Sequence, residues 1–175
     1  MKTLSTTLCA LEPQVAGHAC EMFQVLSDPA IYEFENAPPE SEAWLHARFS
    51  RLEARKNADG KQEWLTWVIR LPDGDLAGYV QATVVQHHVA YVACELASRF
   101  WRRGIGASAL GAAMEELVFQ YRVRTFVAIL KTNNFRSLGL LSKLGFTKGS
   151  SEQSVTFGAG QDEMVMVKAA GERSS

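Results

Sequence analysis

The sequence predicts an α/β (α+β) fold, one mixed sheet flanked by helices, and three observations predict it. Between Trp64 and Leu96, three successive segments are rich in β-forming residues and are divided by short turn signals. After Phe100 the pattern switches to a glycine-containing loop and then to apolar positions three or four apart, the spacing of a helix. Thr125 to Leu130 is a continuous apolar run, suited to a strand covered on both faces. The implied order is β-α-α-β-β-β-α-β-α-β-β, a mixed sheet of about six to seven strands with about four helices.

Each element has its own signal. Leu4 to Leu8 reads as a first strand. Val15, Ala19, Met22, Phe23 and Leu26 recur at helical spacing, and Ser27-Asp28-Pro29 stops that helix. Ile31 to Phe34 and Asn36-Ala37-Pro38-Pro39 read as irregular. Ser41 caps a second helix carrying Trp44, Leu45, Phe49 and Leu52. After the polar loop from Lys56 to Lys61 come strands at Trp64–Leu71, Leu76–Gln86 and Val89–Leu96. They are joined by the Pro72-Asp73-Gly74 turn and by His87-His88. Leu110, Ala113, Met114, Leu117, Val118 and Tyr121 mark the third helix. Asn133-Asn134 can cap a fourth, with Leu138, Leu141 and Leu144 as its inner stripe and Gly145 at its end. Val165-Met166-Val167 is the last strand.

Composition bounds the function. The chain has 175 residues, 47% apolar and 21% charged, which suits one core. One domain over 1–168 is expected, with a small polar tail over 169–175 that frays. A net charge of −1 argues against a nucleic-acid partner. No apolar stretch reaches the roughly 18 residues a membrane span requires. Cys9, Cys20 and Cys94 are too few and too scattered for a disulfide framework or a zinc site. A soluble, cytoplasmic protein is expected. His87 and His88, as neighbours, cannot easily share one ion, and no metal is expected.

The sharpest chemical feature is a strand, then Arg102-Arg103-Gly104-Ile105-Gly106-Ala107, then a helix. A helix start presents unpaired N–H groups and a partial positive charge, and glycines let a phosphate approach the backbone. Two arginines beside it add charge-assisted bonds, so the segment suits a pyrophosphate. Gly104-x-Gly106-x-x-Ala109 also fits a relaxed dinucleotide fingerprint. That reading needs an acid at the end of the next strand, and Leu130-Lys131 stands there. A Walker lysine is missing as well. The plain alternative is a loop that only turns the chain.

Leu96-Ala97-Ser98-Arg99-Phe100-Trp101-Arg102-Arg103-Gly104-Ile105-Gly106 resembles the acetyl-CoA pyrophosphate loop of GNAT-superfamily N-acetyltransferases. Asn134-Phe135-Arg136-Ser137, followed by Leu141-Ser142-Lys143-Leu144-Gly145-Phe146, is similar to their next signature. Pro29-Ala30-Ile31-Tyr32 and the Trp44 helix resemble the ribosomal-protein N-terminal acetyltransferase (RimJ/RimL-like) branch. Two positions depart from the common pattern. Trp101 replaces a Gln or Arg, and Leu141 falls where many members carry a proton-donating tyrosine.

The resemblance implies a GNAT-like, mostly antiparallel sheet and direct transfer of acetyl from acetyl-CoA to a primary amine, on a protein N-terminus or a small molecule. It implies cofactor contacts from Leu96, Arg102, Arg103, Gly104, Ile105, Gly106, Ala107 and Asn134, and a possible homodimer. Leu96 would offer its N–H to the thioester oxygen. Glu95 is the leading general base, with an ordinary outward-facing strand glutamate as the competing reading; Glu33 and Glu35 come second. Ser137 is the candidate thiolate donor, against a plain first-turn serine. Tyr32 and Phe34, with Pro38 and Pro39, would wall the acceptor site, while Trp64, Trp67 and Tyr79 read as core. Cys94 reads as inert packing. A non-catalytic acyl-CoA-binding module is the alternative function.

Overall fold

The structure is a computed structural model that describes residues 1–34 and 36–171. Its strands are β1 (Leu4–Ser5), β2 (Ala10–Pro13), β3 (Glu63–Arg70), β4 (Leu76–Val85), β5 (Val89–Leu96), β6 (Thr125–Lys131), β7 (Thr147–Lys148) and β8 (Glu163–Ala169). Its α-helices are α1 (Ala19–Leu26), α2 (Glu42–Leu52), α3 (Ile105–Tyr121), α4 (Phe135–Lys143) and α5 (Ser151–Phe157). The eight strands form one sheet in the order β1-β2-β3-β4-β5-β6-β8-β7. Every pairing is antiparallel except β5 with β6.

The helices lie on both faces. Along a strand successive side chains alternate, so neighbours report opposite sides. Cys94 and Leu96 face α3, where a Cβ on Gly106 would stand 3.7 and 3.3 Å from their side chains. Glu95 faces the other way, together with its cross-strand partner Tyr79, toward Arg48 of α2. The core fills both layers, with Trp67, Phe126, Leu11 and Met22 fully buried.

Two elements differ from the sequence expectation. Leu4 to Leu8 is not one strand. Thr6 Oγ1 accepts the N–H groups of Leu8 and Cys9 at 3.1 and 3.0 Å, which turns the chain after Ser5 and starts a hairpin. The fifth α-helix, α5, was not expected. Its capping box is plain in the structure: Ser150 Oγ accepts from Gln153 N–H at 3.1 Å, and Gln153 Oε1 accepts from Ser150 N–H at 2.9 Å. At the C-terminus pairing runs through Ala169, and Ala170 N–H donates to the Arg124 carbonyl at 2.8 Å. Residues 172–175 of the expected tail, and Glu35, lie outside the described residues. Among the described residues, no helix is long and apolar enough to cross a membrane.

Candidate active site

The site begins where two strands part. β5 and β6 pair only at Val89, Ala90 and Tyr91 with Thr125, Phe126 and Val127. Farther on, β5 stays with β4 and β6 stays with β8, and a cleft of about 630 Å³ opens between them. Ala97 N–H donates to Ala77 O on β4 at 2.9 Å. Peptide groups alternate along a strand, so the N–H and C=O of Leu96 and Cys94 point away from β4 and into the cleft. The Leu96 carbonyl does so visibly, accepting from Trp101 Nε1 at 2.8 Å.

The start of α3 forms the next wall. Gly104 is its N-cap residue, with φ 80°, and its first turn carries no acidic side chain. Gly104, Ile105, Gly106 and Ala107 all line the cleft, so the helix start opens onto it. Arg102 lines it too and takes a left-handed φ of 59°. A non-glycine residue there costs about 1–2 kcal/mol, so the surrounding loop must hold it. This wall suits an anion on its hydrogen-bonding and its charge alike. Arg103 is elsewhere: it is exposed, and its guanidinium lies 5.8 Å from the Phe100 ring centre.

The start of α4 forms the opposite wall. Asn134 is 8% exposed and its Oδ1 caps the helix, accepting from Ser137 N–H at 3.0 Å. Its Nδ2 is left to donate to a ligand carbonyl. Ser137 lines the cleft, and so does Leu141, an apolar side chain with no proton to give.

Glu95 lies at the mouth on the α1–α2 face and lines the cleft. The Tyr79 hydroxyl faces its carboxylate. Burial first, then the Glu95 charge and hydrogen bonding toward it, push Tyr79 well above the ordinary tyrosine range, so it keeps its proton. Tyr79 packs against the core, with its hydroxyl turned toward Glu95. Tyr32 is pushed up to about 12, by burial and then by the Glu95 charge. Its hydroxyl donates to the Leu26 carbonyl at 2.8 Å, and the cleft is lined instead by its neighbours Ile31 and Phe34. Pro38 and Pro39 do not reach the cleft wall. Burial, then the Glu95 charge, raises the Cys94 thiol to about 12, which leaves it a poor nucleophile.

One cluster escaped the sequence reading. The Arg136 guanidinium lies 4.4 Å over the Trp101 ring, 5.0 Å from Phe34 and 5.1 Å from Phe135, and it pairs with Glu33. It ties α4 to the segment after α1 across the cleft mouth. These contacts join residues far apart in sequence, and no local pattern announces them. Among the described residues, no group of three or more His, Cys, Asp or Glu side chains could hold a metal ion.

Similar folds are known. The ribosomal-protein-S5-alanine acetyltransferase from Vibrio fischeri has a TM-score of 0.80 at 14% identity, covering 99% of this chain and 99% of that one. RimL, a ribosomal L7/L12 α-N-protein acetyltransferase solved with coenzyme A, has a TM-score of 0.79 at 16% identity, over 95% and 97%. The microcin C7 self-immunity acetyltransferase MccE, solved with acetyl-CoA and AMP, has a TM-score of 0.78 at 17% identity, over 94% of each chain. No curated protein sequence matches the chain. These likenesses establish the fold. The family described as the acetyltransferase (GNAT) domain matches residues 9–147, and the chain belongs to it.

Proposed function

We propose that this GNAT acetyltransferase moves the acetyl group of acetyl-CoA directly to a primary amine, on a protein N-terminus or a small molecule. The observation that carries the reading is the convergence on one cleft of the α3 start, the unzipped edge of β5 and the Glu95 carboxylate. The coenzyme A and acetyl-CoA held by two of the similar structures support the same co-substrate. Acetyl-CoA supplies an acetyl group activated as a thioester.

The residues divide the remaining work. The α3 start and Arg102 hold the pyrophosphate, and the β5 edge with Asn134 Nδ2 meets the pantetheine amides. Leu96 N–H faces the carbonyl oxygen that gains charge. Glu95 takes the proton that the amine sheds, and Ser137 Oγ–H hands one to the leaving sulfur. Cys94, neutral and inward, argues against a covalent acetyl-cysteine.

Calorimetric titration with acetyl-CoA, with NADH as control, tests the cleft. Binding of acetyl-CoA alone is expected, and a folded protein that binds neither would sink the reading. Glu95→Gln tests the chemistry. It should lower kcat about 10²-fold or more on a responsive amine while coenzyme A affinity stays unchanged. An unchanged kcat returns Glu95 to an ordinary strand glutamate. Cofactor binding with no transfer to any amine would favour the non-catalytic acyl-CoA-binding module.

A further inference from the structure

The end of β5 poses a physical problem. Its bonding to β6 stops at Tyr91, so the peptide groups of Cys94 and Leu96 that point into the cleft have no strand partner on that side. A donor that must meet developing charge works only if it is already oriented. β4 holds this backbone on one side only, and on the cleft side something other than a strand has to fix it.

Trp101 occupies the required place. Its Nε1–H donates to the Leu96 carbonyl at 2.8 Å. The same peptide unit is held at its other end, where Ala97 N–H donates to Ala77 O at 2.9 Å. The Leu96–Ala97 peptide is thus pinned on both sides, from β4 and from the loop. Trp101 is itself held, because the Arg136 guanidinium lies 4.4 Å over its ring and is anchored by its ion pair with Glu33. The side chain has two duties at once, a wide face for the guanidinium and an N–H for the carbonyl. Phenylalanine has the face without the donor.

We propose that Trp101 is a positioning residue. Braced by the Arg136–Glu33 pair, it replaces the missing strand bond at the end of β5 and, by fixing the peptide that follows Leu96, steadies the Leu96 backbone whose N–H serves acyl transfer. The proposal rests on the reading of the cleft as an acetyl-transfer site.

The test is Trp101→Phe beside a shape-matched variant carrying β-(3-benzothienyl)alanine at 101, which replaces N–H by sulfur. Amide hydrogen exchange at Ala97 is read in the free protein, with kcat, KM and coenzyme A affinity alongside. Both variants should speed exchange at this amide and lower kcat about tenfold, with KM and coenzyme A affinity within about twofold. A structural role alone would not split kcat from binding in this way. Unchanged exchange overturns the proposal, and so does faster exchange with unchanged kcat. If the wild type binds coenzyme A but acetylates no amine, the function reading fails on its own. The exchange arm then still decides whether Trp101 pins the peptide.

Discussion

At the scale of single residues, Asp28 shows how one side chain can place the site without touching it. It sits between α1 and the following turn, accepting from Ala30 N–H at 3.0 Å and from Ser98 N–H at 2.6 Å. The second bond ties the end of α1 to the loop that leads into α3. Asp28→Ala should cost about 1–2 kcal/mol of stability, because two N–H groups lose an ionised acceptor. Asn should recover only part of that, since its amide nitrogen cannot accept. Urea midpoints of the three proteins check this, and equal midpoints would contradict it. In the sequence, Asp28 reads only as a helix stop. Its partner is 70 residues away, and Trp101–Leu96, Tyr79–Glu95 and Arg136–Glu33 were equally silent. Gly104, Gly106 and Asn134 were legible because the cap and loop chemistry that demands them is local.

At the scale of elements, the start of β4 and the end of β5 are fitted through one glycine. A Cβ at Gly78 would stand 1.9 Å from the Glu95 carbonyl oxygen and 2.8 Å from Leu96 Cα. Both are backbone atoms that cannot swing aside. Gly78→Ala must therefore push β5 off β4 at Glu95 and Leu96, at a cost of roughly 1–3 kcal/mol. It should lower kcat more than coenzyme A affinity, because the α3 wall stays in place. A thermal melt with a binding titration tests both halves, and a variant with wild-type melting would show that β5 yields freely. β3, β4, β5, α3 and β6 were readable in the sequence because their apolar periods are long and regular. β1, β2 and α5 are too short to carry a period. Ser150 and Gln153 did carry the capping signal that α5 obeys, and it would have served.

At the scale of the whole molecule, the ionisable groups define a pH window for folding. Bonds from Arg70 hold the Glu12 carboxyl below its ordinary 4.5. A bond from Gly160 N–H, then Lys131, does the same for Glu163. Burial would raise Asp28, but the bonds from Ser98 and Ala30 outweigh it and leave it below 3.8. A carboxyl lowered in the folded state contributes stability above its unfolded value and loses it as pH falls through the folded value. Stability should therefore decline once pH drops below about 4.5. Tyr32 and Cys94 act at the other end, raised to about 12 from ordinary values of 10.0 and 9.0. Their contribution is complete below those ordinary values and is lost as pH climbs toward 12, since the unfolded chain ionises first. Tm should form a plateau from roughly pH 5 to 9 and fall on both sides. Added salt should shrink the acid-side loss, because the ion pairs of Glu12 and Glu163 are partly exposed and screened. Tyr32→Phe should flatten part of the alkaline fall, because it removes one of the groups that ionises on unfolding. A Tm that holds level from pH 5 to 3 would show that these carboxylates are as well satisfied by water as by their partners.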